Sequence, residues 1–234
     1  EKVERVSQDN TNKIIIALDY TNKKDVLDLC DQLDPAYCRL KVGKQLFTLL
    51  GPDIIESLHA KNFEIFLDLK FHDIPITVYK ACLAAYELGI WMLNIHLLGG
   101  REMVLAAKQA RDEQNTSALL IGVTLLTSHS DESLKFLNLP NRLSTVQKLA
   151  QSAQNCEIDG VVCSPSDING IKDVTSDLLF VTPGIRLADQ ADDHAKVYTP
   201  KKAILAGSDY LVIGRPITES KHPMKVIDEI KSMI

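Results

Sequence analysis

The sequence lacks any C-x-x-C pair: its five cysteines, Cys30, Cys38, Cys82, Cys156 and Cys163, are odd in number and scattered. This argues against a disulfide framework or a zinc site and for reduced thiols in a cytoplasmic protein. No apolar run approaches the ~18 residues of a membrane span, and no secretory leader is visible. Basic residues are in deficit, 26 against 31 acidic ones, for a formal net charge of -5. Nucleic acid, which requires a basic stripe or patch, is therefore not an expected partner, whereas a local basic pocket for a small anion remains open. Low-complexity segments, linkers and hairpin turns are also missing, so nothing divides the chain.

What the 234 residues do contain is a 45% hydrophobic complement, enough for a sizeable core. After a polar leader over residues 1–12, short apolar runs recur at 13–18, 39–42, 65–71, 91–96, 118–126, 160–164, 178–182 and 210–213. Amphipathic or capped helical stretches separate them. Examples are 22–33, with Val26, Leu27, Leu29 and Leu33 as its apolar face, and a run from about Thr199-Pro200, where proline suits a first helical turn. Regular strand–helix alternation implies parallel strands with helical crossovers, and eight such units predict a single (β/α)8 barrel domain over residues 13–234. The competing open doubly wound sheet usually carries a glycine-rich loop after its first strand. Here that position reads Asp19-Tyr20-Thr21.

Barrel sites form at the C-terminal ends of the strands. Those ends carry Asp19, Lys41, Asp68 with Lys70 and Asp73, Asn94 with His96, Thr127-Ser128, Pro183-Gly184 with Arg186, and Gly214-Arg215. Strand starts are expected to carry little that titrates. Asp68 and Lys70, two apart in the apolar run 65–71, project from one face of a strand, with Lys41 on the neighbouring strand. Alternating lysines and aspartates hold one another ionised without a metal. An isolated structural ion pair is the simpler reading of Asp68 and Lys70 alone, but it does not explain why polar residues collect at one end of the barrel. Arg186 and Gly214-Arg215 follow strands seven and eight, where barrels frequently bind phosphate. The long polar segment 186–197 reads as a lid over it. His96 is expected to be a satisfied barrel-lining histidine. A metal site built from His72, Asp68, Asp73 and His96 is disfavoured, because Lys70 would compete with a cation.

Leu67-Asp68-Leu69-Lys70-Phe71-His72-Asp73-Ile74-Pro75 resembles the signature of the orotidine 5'-phosphate decarboxylases, in their bacterial form. D-x-K-x-x-D alone is shared with sugar-phosphate barrel enzymes. The flanking stretches strengthen the likeness: Ala17-Leu18-Asp19-Tyr20, Leu40-Lys41-Val42-Gly43, Asn94-Ile95-His96, Val181-Thr182-Pro183-Gly184-Ile185-Arg186 and Ile213-Gly214-Arg215-Pro216. The resemblance implies cofactor-independent decarboxylation of orotidine 5'-phosphate to UMP. Asp68 would lie beside the substrate carboxylate and Lys70 would protonate C6. Lys41 and Asp19 would hold ribose hydroxyls, and Thr127 would contact the pyrimidine. Arg186, Gly214 and Arg215 would hold the phosphate, with Pro183 among the substrate contacts. Asp73 and Thr77 would reach the partner subunit's substrate, which makes the expected unit a homodimer. The chain departs from the pattern at Ile76, where asparagine is common, and at His194, where a phosphate-binding lid glutamine is usual. Two alternatives fit the same residues: a metal-dependent sugar-phosphate decarboxylase or aldolase on the same scaffold, and a catalytically inactive phosphate-ligand sensor.

Overall fold

The computed structural model describes residues 12–187 and 198–234. Eight strands close into a parallel barrel in chain order, β1 pairing with both β2 and β8. They are β1 (Ile14–Ala17), β2 (Arg39–Gly43), β3 (Ile65–Phe71), β4 (Met92–His96), β5 (Leu119–Val123), β6 (Gly160–Val162), β7 (Leu179–Thr182) and β8 (Tyr210–Ile213). The strands read as apolar runs because both faces are covered. Ile15, Ala17, Phe66, Met92, Ile121, Val181 and Val212 fill the interior, while Ile14, Ile16, Leu40 and Leu67 pack outward under the helices.

Helix boundaries follow local chemistry. The helix Lys23–Cys30 starts where the Asn22 side chain accepts the Asp25 N–H, and it stops short of the expected Leu33. Residues 130–155 hold two helices, Asp131–Phe136 and Arg142–Asn155, capped by Ser130 and Asn141, with Pro140 between them. After β8 the chain forms two helices, Arg215–Thr218 and Pro223–Met233, the second opening on proline. The fifth strand ends at Val123 rather than Leu126. Beyond it, Thr124 turns both its N–H and its hydroxyl onto the Val162 carbonyl.

The base of the barrel corrects one expectation. Strand starts do carry charge, used to close the structure. Buried Arg39 bonds Glu64 at 2.7 Å, donates to the Asn12 carbonyl and lies 4.1 Å over the Trp91 ring, which meets Tyr210 edge-on. Asp159 accepts the Leu120 N–H and pairs with Arg111, and Asp209 accepts the Phe180 N–H. Each carboxylate satisfies a backbone donor at the start of the ladder, where a buried N–H without a partner is costly. Asn12, at the edge of the polar leader, is itself buried there.

Candidate active site

The opposite end of the barrel opens into a cleft of about 670 Å³ floored by Phe66, Val123, Val181 and Val212. Around this floor the fold gathers Asp19, Lys41, Asp68, Lys70, Thr127, Pro183, Arg186, Gly214 and Arg215. These residues come from six different strand ends, so closure of the barrel is what makes them neighbours.

Asp68 is the centre of the arrangement and is 8% exposed. Its Oδ1 accepts from Lys70 Nζ at 2.5 Å and from Asn94 Nδ2 at 2.7 Å, and its Oδ2 faces Lys41 Nζ at 3.0 Å. Lys41 gets there indirectly. In the β2–β3 register it stands beside Phe66, while Gly43 stands beside Asp68. The lysine side chain runs up the strand to the carboxylate. The path runs directly past Gly43, where a Cβ would lie in ordinary contact with Lys41 Nζ at 3.4 Å. Burial pushes the Asp68 carboxyl up, but Lys41, Lys70 and the hydrogen bonds from Lys70 and Asn94 outweigh it and hold the group below the usual carboxylate range. A buried carboxylate is thus kept ionised by two cations that stand on the cleft wall.

Strand geometry at Lys70 is not the simple alternation expected. Between the pairs Leu67–Leu93 and Phe71–Ile95, three residues of β3 face one residue of β4, Asn94. Lys70 has φ 51°, a left-handed conformation unusual for lysine. Asn94 was visible in the sequence only as a polar residue at a strand end. It is 1% exposed and takes the Lys70 N–H on its Oδ1 at 2.8 Å. Its partners lie 24 and 26 residues away, so no local signal assigns it.

Phosphate-side residues follow β7 and β8. Ile185 bridges Tyr198 and the Arg186 N–H bonds the Tyr198 carbonyl at 3.0 Å, so the two ends of the expected lid segment are tied together. His194 and the rest of 188–197 lie outside the described residues. Gly214 is open on its cleft side, its nearest neighbours there being Ala17 and Asp19, each 3.8 Å from where a Cβ would stand.

Two expected site residues are not brought into this cleft. Asp73 and Thr77 are exposed on the turn after β3 and the first turn of the helix Pro75–Glu87, and Asp73 Oδ1 accepts the N–H of its neighbour Ile74. Within one chain the charge array is therefore Lys41–Asp68–Lys70. The reading of His96 as a satisfied histidine is corrected too: its Nδ1 is buried with no hydrogen-bond partner, and its ring lies 5.4 Å from that of His72. Burial, then His72, Lys44 and Lys70, pushes His96 down to about 4, so the ring is neutral. Among the described residues, no three His, Cys, Asp or Glu side chains are grouped to hold a metal ion. The five cysteines are all buried and unpaired, and burial pushes the thiols up, those of Cys30, Cys38 and Cys82 to about 12, away from the nucleophilic range. Among the described residues, no helix is long and apolar enough to cross a membrane.

Residues 12–230 match the family model described as "Orotidine 5'-phosphate decarboxylase / HUMPS family". The orotidine 5'-phosphate decarboxylase of Saccharophagus degradans is 48% identical over 221 residues, 93% of each chain. That of Shewanella sediminis is 50% identical over 226 residues, 94% of this chain and 96% of the relative. The crystal structure of the Lactobacillus acidophilus enzyme of the same name superposes with a TM-score of 0.82 at 38% identity, covering 94% of this chain and 97% of that one. Matches that span the barrel from base to final helix leave no part of the cleft outside them, and the chain belongs to the orotidine 5'-phosphate decarboxylase / HUMPS family.

Proposed function

We propose that this protein decarboxylates orotidine 5'-phosphate to UMP, without a cofactor, in pyrimidine biosynthesis. The observation that carries the reading is a single buried carboxylate, Asp68, held ionised between Lys41 and Lys70 over an apolar floor. The relatives named above carry this activity in their names.

The chemical difficulty is a carbanion at an sp2 carbon with nothing to delocalise it. The C6–carboxylate bond breaks, CO2 departs, and the electron pair stays at C6. The Lys70 ammonium stabilises that charge as it develops and then gives C6 its proton; solvent reprotonates the amine. This is electrostatic preorganisation, effective because the cation is positioned before the reaction starts. Asp68 lies beside the departing carboxylate and fixes Lys70, so it acts on the ground state and on the geometry together.

The remaining roles follow the cleft around. Asp19 and Lys41 hold the ribose hydroxyls, Thr127 meets the pyrimidine, Pro183 packs beside the substrate, and Arg186, Gly214 and Arg215 hold the phosphate. An arginine fork matches two phosphate oxygens, and an amide at a glycine approaches a third closely. His194 donates one hydrogen bond to the phosphate, more strongly when protonated. Binding energy from the phosphate, remote from C6, assembles the site for the reaction. Asp73 and Thr77 serve the partner's substrate in a cytoplasmic homodimer. That assignment is supported by their exposure beside Ile74 and Ile76, which are 62% and 54% exposed, an apolar patch suited to burial between copies. The test is loss of orotidine 5'-phosphate absorbance with purified protein and no added metal. Steady loss with release of UMP is expected; no loss, or loss that a chelator abolishes, overturns the reading.

A further inference from the structure

We propose that Asn94 is a positioning residue for the reaction: its side-chain amide bridges the irregular stretch of the β3–β4 pairing and thereby fixes both the Lys70 backbone and the Asp68 carboxylate. The proposal rests on the function given above for that pair.

Three residues of β3 oppose Asn94 alone, so the β3–β4 register shifts between Leu67 and Phe71. The Lys70 N–H is taken by the Asn94 side chain, on Oδ1 at 2.8 Å. Six described non-glycine residues have positive φ, and only Lys70 lies within a strand. A left-handed conformation costs an L-residue about 1–2 kcal/mol, so it persists only where the surroundings over-determine it. The second half of the same amide, Nδ2, donates to Asp68 Oδ1 at 2.7 Å, and that oxygen also takes Lys70 Nζ at 2.5 Å. The result is a closed circuit: Lys70 N–H to Asn94, Asn94 to Asp68, Asp68 to the Lys70 ammonium. The amide's orientation follows from its partners, because an N–H needs an acceptor and a carboxylate needs a donor. Few side chains offer both at this spacing. Aspartate keeps the acceptor but sets a second negative charge against Asp68; leucine keeps the volume and loses both bonds.

Asn94 touches neither reacting atom in the proposed mechanism. Its effect passes through Lys70, whose ammonium is aimed by the kinked strand, and through Asp68, which is otherwise faced by Lys41 from β2, Lys70 from β3, His96 from β4 and, across the cleft, Asp19 beyond β1. Removing the amide releases the kink and takes one donor from the carboxylate, while the phosphate and ribose contacts stay in place.

The experiment compares the parent with Asn94→Ala and Asn94→Asp, using kcat on orotidine 5'-phosphate, UMP affinity by calorimetry, and the Asp68 carboxyl titration by NMR. In Asn94→Ala, kcat is expected to fall on the order of 10²-fold, the scale of an ångström-level misplacement, with UMP affinity held within about threefold. The Asp68 titration should move to higher pH in both variants. In Asn94→Asp the acid limb of kcat should follow it upward. A kcat within about threefold of the parent, or a loss of UMP affinity equal to the loss of kcat, overturns the proposal. If Asn94→Ala does not fold, Asn94→Ser is read by the same pair of numbers. If the parent itself fails to decarboxylate the substrate, the function assigned above falls; the Asp68 titration then decides the positioning role, and an unchanged titration in both variants overturns it.

Discussion

The ammonium of Lys41 lies 3.0 Å from the carboxylate of Asp68 although the strand register sets the lysine two residues below it, beside Phe66. The carboxylate is therefore reached from below by Lys41, from its own strand by Lys70 and from β4 by Asn94. Its ionisation depends in part on a side chain long enough to climb the strand past Gly43.

Replacing Lys41 by methionine tests that dependence. Burial continues to push Asp68 up, and one of the two opposing cations is gone. The acid limb of activity should shift to higher pH relative to the parent, read from kcat against pH. The linked stability has the same origin. Asp68 is lowered in the folded parent, so its contribution is present above the ordinary aspartate value and lost as pH falls through the folded one. In Lys41→Met the folded value rises toward the unfolded one, so that acid-side loss should be smaller and complete at higher pH in urea titrations. An unshifted acid limb would show that Lys70 alone keeps the carboxylate charged.

Lys70→Ala should lower turnover at least about 10³-fold, because it removes both the stabilising charge and the proton source. Far-UV circular dichroism and the thermal midpoint should remain close to the parent's. Retention of parental activity would sink the mechanism proposed for this cleft.

Arg215→Ala should weaken UMP binding about 10- to 100-fold, the equivalent of ~1.5–3 kcal/mol for hydrogen bonds to a charged group. Uridine, which lacks the phosphate, should bind parent and variant alike. Calorimetric titration with both ligands makes the comparison, and a comparable loss on uridine contradicts a phosphate role.

His96 supplies a pH signature of its own. Its folded value of about 4 lies below the ordinary 6.5, so between those values the unfolded chain binds a proton that the folded chain does not. Stability contributed by the neutral ring is present above 6.5 and is lost as pH falls toward 4. His96→Gln should flatten the dependence of unfolding free energy on pH across that window. A slope equal to the parent's would place the titration elsewhere.

At the barrel base, Arg39→Met should destabilise the fold by about 1–3 kcal/mol through loss of the bonds to Glu64 and the Asn12 carbonyl and of the cation–ring contact with Trp91. Glu64 is half-exposed, so water takes over its charge and limits the cost. Activity per folded molecule should be unchanged, since the cleft is at the other end. Urea denaturation and specific activity on one preparation separate the two effects.

The sequence by itself determined the eight strands and, with them, most of the cleft. A buried parallel strand must be apolar on both faces, so polar residues at its C-terminal end stand out, and barrel closure then brings Asp19, Lys41, Asp68, Lys70, Thr127, Arg186 and Arg215 together. Tertiary structure decided what depends on register and on partners distant in the chain. It kinked β3 at a lysine that no glycine or proline marks, and it turned Asn94 from a strand-end residue into a clamp on two others. Pairing also put charges to structural use at the strand starts, left His96 Nδ1 without a partner, and turned Asp73 and Thr77 away from their own cleft. The physical reason is the same in each case. Whether a buried polar group is satisfied depends on which atoms the fold brings within about 3 Å, and periodicity in a sequence carries no information at that scale.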